Sequence, residues 1–176
     1  MRFRIVESVD DYYWGDVWKI YKNSFPIYKQ RSLKMQEEAM KNKDFKCLAA
    51  ILKKRVIGMI FYWDLDNFRY VEHLGWDKEL KCSGYECEIL SKLCEDNRPT
   101  IIELDKVVDD ETIMRIISYE ELGFKRNIYL HKHPAYKSIS EDINSVVLSY
   151  PNKLTFEDYL YFDNILVNEV MIYKDN

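Results

Sequence analysis

The residues best suited to chemistry lie mid-chain, where residues 70–93 read as a strand, a polar loop with one glycine, and a helix. Free backbone N–H groups in the first turn of a helix point toward the preceding loop, and the helix dipole favours negative charge there. This order of elements is suited to hold an anion such as a phosphate group. The pattern is also common in proteins that bind nothing there, so a plain strand-to-helix connection is the alternative.

Two further segments carry reactive side chains. Tyr119 precedes Gly123 by four residues in a helix that Gly123 is expected to end, and taken alone this predicts only a helix packed on a sheet. His131 and His133 could form two metal ligands, but without a third they predict an ordinary strand end at the surface. The four cysteines form no C-x-x-C pair and fit no zinc spacing, so reduced thiols and no metal are predicted.

Composition narrows the class of protein. The chain has 176 residues, of which 47% are hydrophobic and 32% charged, as in an ordinary globular domain. A net charge of −4 argues against a nucleic-acid backbone as the main partner. There is no apolar run near the ~20 residues of a membrane span, and no apolar signal segment at the N-terminus. We expect a cytoplasmic protein with one domain over residues 1–176 and no nucleic-acid or membrane partner.

The spacing of the hydrophobic residues predicts the helices and strands that must position these side chains. Their predicted order is β-α-α-β-β-β-α-β-α-β-β-α, which indicates a mixed α/β sheet with helices on both faces. Ser8 with Asp11, and Thr155 with Asp158, are predicted capping pairs. Strands are predicted at 2–7, 45–52, 56–64, 68–75, 99–104, 125–131 and 143–150. Helices are predicted after the Ser8 cap and from 33, 85, 109 and 155, the last ending near Tyr173.

In this order the mid-chain segments resemble the GNAT superfamily of acyl-CoA-dependent N-acetyltransferases. The resemblance covers about residues 2–132 and rests on Asn23-Ser-Phe-Pro26, on Glu72-His-Leu-Gly-Trp-Asp with Gly84 beyond it, and on Ser118-Tyr-Glu-Glu-Leu-Gly-Phe124. The last is close to the tyrosine-containing YExLGF segment of the family. Residues 133–176 resemble a C-terminal extension found in some bacterial members.

The resemblance implies a fold in which the fourth and fifth strands splay apart into a V-shaped cleft. The pantetheine arm of acetyl-CoA is expected along Leu74, Gly75 and Trp76. The diphosphate is expected on the loop and first helical turn. This group of cofactor residues comprises Lys81, Cys82, Ser83, Gly84, Tyr85, Glu86 and Cys87. Acetyl-CoA would be the co-substrate, and the chemistry needs no metal.

The same resemblance assigns catalytic parts. Tyr119 is expected to protonate the departing thiolate of coenzyme A, and Glu72, the nearest acidic residue on the fourth strand, to act as general base. The alternatives are packing for Tyr119 and a salt-bridged carboxylate for Glu72. Phe25, Tyr28 and His73 are expected to contact a small-molecule amine, with His73 also an alternative base. Homodimers are common among such proteins.

The chain departs from the family pattern at the loop. Lys81 replaces an arginine or glutamine and lacks the forked guanidinium, and Glu86 replaces a glycine or alanine. Glu88 follows in the same helical turn, so two carboxylates compete with an incoming phosphate for the helix dipole. Two unit charges ~6 Å apart repel by about 3 kcal/mol at a dielectric of 20, or roughly 100-fold in affinity. The alternative function is therefore a binding module that keeps the fold but has lost acetyl-CoA binding.

Overall fold

The computed structural model describes residues 1–80, 84–106, 109–137 and 140–175. The strands are β1 (Arg2–Ile5), β2 (Phe45–Leu52), β3 (Arg55–Asp64), β4 (Arg69–Trp76), β5 (Thr100–Asp105), β6 (Lys125–Arg126), β7 (His131–His133) and β8 (Ile143–Tyr150). The α-helices are α1 (Trp14–Ser24), α2 (Leu33–Met40), α3 (Tyr85–Cys94), α4 (Asp110–Glu121) and α5 (Phe156–Ile165).

One mixed sheet organises the molecule, with the strands in the order β1-β2-β3-β4-β5-β8-β6 and β7 also paired to β8. Its centre, β4 with β5, is parallel, whereas the other neighbours run antiparallel. The parallel pair is expected because α3 connects the two strands. The predicted fold class, a mixed α/β sheet of the GNAT type, is confirmed.

The helices cover both faces of the sheet and bury two separate apolar cores. On one face α1 and α5 pack over β2, β3 and β4, with Val17, Tyr21 and Phe162 fully buried. On the other face α3 and α4 pack through Ile89, Leu90 and Ile116. This apolar spacing of three and four residues buries one stripe of each helix.

Two glycines let helices approach the sheet closely. A Cβ on Gly58 of β3 would lie 2.3 Å from Ile89 Cδ1 of α3. A Cβ on Gly75 of β4 would lie 2.8 Å from Ser24 Oγ, at the end of α1. These contacts set α3 and the end of α1 directly against the two central strands.

Two predicted elements differ from the structure. The first helix begins at Trp14, because Asp11 Oδ1 accepts a hydrogen bond from the Tyr13 N–H (2.9 Å) in a turn before the helix, so the predicted Ser8–Asp11 cap is wrong. The predicted strand 125–131 is broken into β6 and the start of β7. Asn127 interrupts it, since its side-chain N–H₂ donates to Ser149 Oγ (2.9 Å) and its Oδ1 accepts from Leu154 N–H (2.9 Å).

The C-terminal helix has the predicted cap. Thr155 and Asp158 form a capping box at the start of α5. Beyond Ile165 the chain continues as a π-helical segment, Leu166–Val170, and a 3₁₀ turn, Met171–Tyr173. In the described part of the chain, every helix is too short or too polar to cross a bilayer.

Candidate functional site

A cleft opens in the middle of the sheet where β4 and β5 separate. The two strands pair only at Arg69–Thr100, Tyr70–Ile101 and Val71–Ile102. Beyond Val71 and Ile102, no described strand pairs with the facing edge of β4, whereas β5 stays paired to β8 as far as Asp105. The resulting cavity of about 160 Å³ lies between the ends of the two strands, with α1 on one side and α3 and α4 on the other.

The first residue beyond the last pair is a glutamate on each strand, Glu72 on β4 and Glu103 on β5, and both line the cleft. Glu72 has a fully buried side chain. Its Oε1 lies 2.7 Å from Arg31 Nη2 and accepts from Tyr136 O–H (2.9 Å). Its Oε2 accepts from Arg31 Nη1 (2.8 Å) and from Trp63 Nε1 (2.9 Å). Each of the two carboxylate oxygens is therefore contacted by two donor groups.

These partners determine how Glu72 titrates. Burial alone would raise the pKa of the Glu72 carboxyl, but the Arg31 guanidinium and the other donors lower this pKa to about 2. The Arg31 side chain is itself fully buried and also donates to the backbone carbonyls of Tyr173 (3.1 Å) and Val170 (3.2 Å). Glu72 therefore suits a fixed negative charge better than a group that accepts a proton near neutral pH.

His73 is buried beside Glu72 and is neutral. Burial lowers the pKa of His73 to about 4, although the nearby Glu72 carboxylate opposes this change. Nε2 lies 3.0 Å from the Lys29 carbonyl oxygen, an acceptor, so this nitrogen carries the proton. Nδ1 has no hydrogen-bond partner among the residues that the structure describes, and it lies 3.9 Å from Glu72 Oε1. The cleft therefore contains one buried nitrogen with an unused lone pair.

Glu103 forms a second polar cluster on the other side of the cleft. One carboxylate oxygen accepts from Tyr70 O–H, and the other is bonded to His131 Nε2. His133 Nε2 lies 3.7 Å from Glu103 Oε2 and 3.3 Å from Tyr136 O–H, the same hydroxyl that donates to Glu72. A chain of side chains therefore connects β5 to β4 where the backbone pairing between them has stopped.

His131 and His133 are 4% and 6% exposed, so the predicted surface strand end is wrong. The physical reason is the buried Glu103 carboxylate, which both imidazoles face. Burial would raise the pKa of Glu103, but His133 and His131 lower it, and the hydrogen bond to Glu103 raises the pKa of His131 against the effect of burial. Among the described residues, no three His, Cys, Asp or Glu side chains are arranged to hold a metal ion.

The α3–α4 side of the cleft contains Tyr119, Glu86 and Arg115. Tyr119 is 1% exposed, and its hydroxyl donates to Glu86 Oε1. Arg115 Nε lies 3.2 Å from the same oxygen, and the guanidinium stacks over the Trp76 ring at 5.1 Å. Burial raises the pKa of Tyr119 well above its usual value, with the Glu86 carboxylate adding to the effect. Tyr119 is therefore a protonated hydroxyl at the edge of the cleft.

The N-terminus of α3 lies beside this group. Gly84 precedes the helix with φ of 72° and has open space where a Cβ would stand. Within the described residues, the first helical hydrogen bond of α3 runs from Glu88 N–H to Gly84 O (3.1 Å), so Tyr85, Glu86 and Cys87 form the first turn of the helix. The backbone N–H groups in the first turn of a helix suit an anionic ligand at this end of α3.

Comparison with solved structures identifies this arrangement. A protein from Bacteroides thetaiotaomicron assigned to the GNAT family of acetyltransferases superposes with a TM-score of 0.89. The two share 26% sequence identity over 97% of this chain and 98% of the other. The chain belongs to the GNAT superfamily.

More distant GNAT proteins share the fold. The ribosomal-protein-alanine N-acetyltransferase from Escherichia coli matches with a TM-score of 0.63 and 12% identity, over 89% of this chain and 98% of its own. An acetyltransferase from Bacillus subtilis in complex with CoA matches with a TM-score of 0.61 and 12% identity, over 84% and 96%. No protein-family model and no curated protein matches the sequence.

Of the residues expected to bind the cofactor, Leu74 and Glu86 line the cleft. Leu74, Gly75 and Trp76 form the end of β4 whose edge is unpaired toward β5. Gly84, Tyr85, Glu86 and Cys87 are at the start of α3. The predicted residues Lys81, Cys82 and Ser83 lie outside the described residues.

Of the residues predicted to contact the acceptor amine, Phe25 and His73 line the cleft and Tyr28 does not. Phe25 lines the cleft, with its ring 4.6 Å from that of His73 in an edge-to-face contact. Tyr28 is 47% exposed on the 3₁₀ turn Ile27–Lys29 and is not among the residues that line the cavity. The ion pair between Lys29, on the same turn, and Asp105, at the end of β5, spans the cleft mouth.

Glu103 and its imidazole partners were missed by sequence reasoning. Glu103 lies in a short apolar strand, where one carboxylate carries no distinctive pattern. His131 and His133 did offer a signal, because residues two apart in a strand point to the same face. Two imidazoles on one face of a strand suit a shared buried partner as well as they suit solvent.

Proposed function

We propose that this protein transfers an acetyl group from acetyl-CoA to the nitrogen of a small amine. The observation that carries the proposal is the interruption of the β4–β5 pairing after Val71, with the start of α3 beside it. An unpaired strand edge offers backbone hydrogen bonds to an extended amide-containing chain, as the pantetheine arm is. The backbone N–H groups in the first turn of α3 suit its diphosphate. The GNAT neighbour from B. subtilis, solved with CoA bound, supports this choice of cofactor.

In the proposed reaction, a neutral amine attacks the thioester carbonyl directly. Tyr119 would protonate the departing thiolate, since its buried hydroxyl is protonated and faces the cleft. Backbone N–H groups at the end of β4 would polarise the carbonyl. Acetyl-CoA supplies the activated acyl group, and every step uses side chains or backbone of this chain.

On the acceptor side we assign a cationic amine. The buried carboxylates of Glu72 and Glu103 line the cleft, together with Asp105 at its mouth, and favour a positive charge there. Glu72 as the base that removes the amine proton stays a prediction, since four donors already contact its two oxygens. The unpaired Nδ1 of His73 is a second proton acceptor in the same cleft.

Calorimetry with acetyl-CoA tests the proposal first. We expect micromolar binding, and then release of free coenzyme A thiol when amines are added, with the acetylated product identified by mass spectrometry. Tyr119→Phe should keep binding and lower kcat by roughly 10²- to 10⁴-fold. Absence of binding heat at millimolar acetyl-CoA would refute the proposal.

The second candidate function is a binding module that has lost acetyl-CoA. The observation that favours it is the Glu86 carboxylate, which lies in the cleft beside the α3 N-terminus and contacts Tyr119 and Arg115 instead of turning into solvent. Under this reading Glu86→Gly should create acetyl-CoA binding where the wild-type protein has none.

A further inference from the structure

Glu86 is held between two helices by specific partners. It belongs to the first turn of α3, and its side chain is only 19% exposed. Oε1 accepts from the Tyr119 hydroxyl and lies 3.2 Å from Arg115 Nε, both on α4. The residue predicted to protonate the thiolate therefore gives its own hydrogen bond to a buried carboxyl group.

The surroundings of Glu86 determine whether it carries a proton. Burial raises the pKa of Glu86, while Arg115 and the Tyr119 hydrogen bond oppose this only in part. Arg115 also pairs with a second carboxylate, because its Nη2 lies 3.6 Å from Glu111 Oε1. Cys87 follows Glu86 on α3. Burial raises the pKa of the Cys87 thiol, and the Glu86 carboxylate adds to this effect.

The remaining carboxylates of the cleft have partners of their own. Glu72 on β4 is held by Arg31, Glu103 on β5 by His131, and Asp105 at the end of β5 by Lys29. Glu86 is thus the cleft carboxyl group whose partners are a neutral hydroxyl and a shared guanidinium.

We infer that Glu86 is a positioning residue that stores the proton for Tyr119 during acetyl transfer. This inference rests on the proposed function. When the C–S bond of the thioester breaks, the Tyr119 O–H bond breaks and an S–H bond forms on coenzyme A. The O–H bond of protonated Glu86 then breaks and the Tyr119 O–H bond re-forms. Glu86 is left as a carboxylate beside Arg115, and a proton from solvent reloads it when the next acetyl-CoA molecule binds.

Protonation of Glu86 is coupled to the binding of acetyl-CoA. Acetyl-CoA brings negative charge to the start of α3 and removes water from the cleft, and both changes favour the uncharged form of Glu86. Binding of the cofactor therefore takes up a proton from solution. By linkage, affinity for acetyl-CoA falls as the pH rises through the range in which free Glu86 ionises.

The test is calorimetry with acetyl-CoA at neutral pH in two buffers that differ in ionisation enthalpy. The wild-type protein should take up a measurable fraction of one proton per cofactor bound, approaching about one. Glu86→Gln should bind acetyl-CoA with no uptake. Glu88→Gln is the matched control, since it removes the same charge from an exposed position in the same helical turn and should retain the uptake.

Activity provides the second readout. Glu86→Gln should lower kcat by at least about tenfold with little change in the KM for acetyl-CoA, because glutamine accepts the tyrosine hydrogen bond but cannot return a proton. Equal uptake in the wild type and Glu86→Gln, or loss of uptake with unchanged kcat, overturns the inference while leaving acetyl transfer intact. Absence of acetyl-CoA binding to the wild type overturns both.

Discussion

The Arg31 guanidinium and the Glu72 carboxylate form a fully buried ion pair, with contacts of 2.7 and 2.8 Å, that joins the chain before α2 to the middle of β4. Because Arg31 also donates to the carbonyls of Val170 and Tyr173, this pair connects the cleft to the C-terminal helical segment. An unpaired charge at this depth is strongly unfavourable, so the pair has to be kept or removed as a unit.

Arg31→Met should lower the free energy of unfolding by about 3–5 kcal/mol, since it leaves the Glu72 carboxylate buried without its cation. Denaturant unfolding followed by circular dichroism measures the loss. Lys41→Met is the control, because Lys41 pairs with Glu38 in a largely exposed contact that contributes little to stability. A loss for Arg31→Met as small as that of the control would contradict the prediction.

His73 and His131 should titrate at opposite ends of the histidine range in NMR spectra of the ring carbons and protons. His73 is expected to titrate near its pKa of about 4, because burial disfavours its charged form. His131 should titrate above the usual histidine range, because its hydrogen bond to Glu103 stabilises the charged form of the imidazole. Stability supplied by the His131 contact is then present at low pH and lost as the pH rises through this elevated pKa. Assignment uses His73→Gln and His131→Gln, and reversed shifts would disprove the arrangement.

Glu72→Gln tests whether this carboxylate is the titrating base. Because Glu72→Gln leaves the buried Arg31 guanidinium without its carboxylate, circular dichroism first checks that the variant folds. Since the pKa of Glu72 is about 2, we expect the folded variant to lower kcat/KM for a cationic amine while the pH profile keeps its wild-type shape above about pH 4. The profile is measured with saturating acetyl-CoA. Disappearance of an acid limb in the variant alone would instead identify Glu72 as the group that accepts the proton.

Gly58→Ala should destabilise the protein by about 1–3 kcal/mol, because the added Cβ would lie 2.3 Å from Ile89 Cδ1. Ile89→Val removes that Cδ1 atom. The double variant should therefore lose less stability than the sum of the single variants, which a double-mutant cycle on unfolding free energies detects. Strict additivity would mean that α3 does not pack on β3 at this point.

Gly84→Ala should cost about 1 kcal/mol or more and weaken acetyl-CoA binding, because φ at Gly84 is 72° and alanine disfavours that region. The effect comes from the backbone alone, since a Cβ there meets nothing within 4 Å. Gly15→Ala is the matched control: its Cβ also meets nothing, and it lies inside helix α1, where alanine is preferred. A neutral Gly84→Ala would contradict the assigned loop geometry.

Local periodicity predicted most of the fold, because each helix buries one stripe and each central strand is apolar along its length. The GNAT resemblance added the splayed strands, which no local pattern shows. The interruption at Asn127 could not be predicted, since it depends on contacts with Ser149 and Leu154 that are far along the chain.

The candidate site was predictable in position but not in its electrostatics. The GNAT resemblance singled out Glu72 and Tyr119, yet how each titrates is set by partners more than thirty residues away, Arg31 and Tyr136 in one case and Glu86 in the other. The place of Glu103 in the site could not be predicted for the same reason. Its partners come from β4 and β7, and only the folded sheet brings them together.

The opening of β4 has one further consequence for how the protein survives in a crowded solution. A free strand edge at the rim of a sheet invites other polypeptides to add to it and aggregate. Here the free edge lies in the interior of the sheet, flanked by helices on both faces and crossed at its mouth by the Lys29–Asp105 pair. The unpaired edge of β4 therefore lies inside the molecule and not at the rim of the sheet, where strand addition by other polypeptides begins.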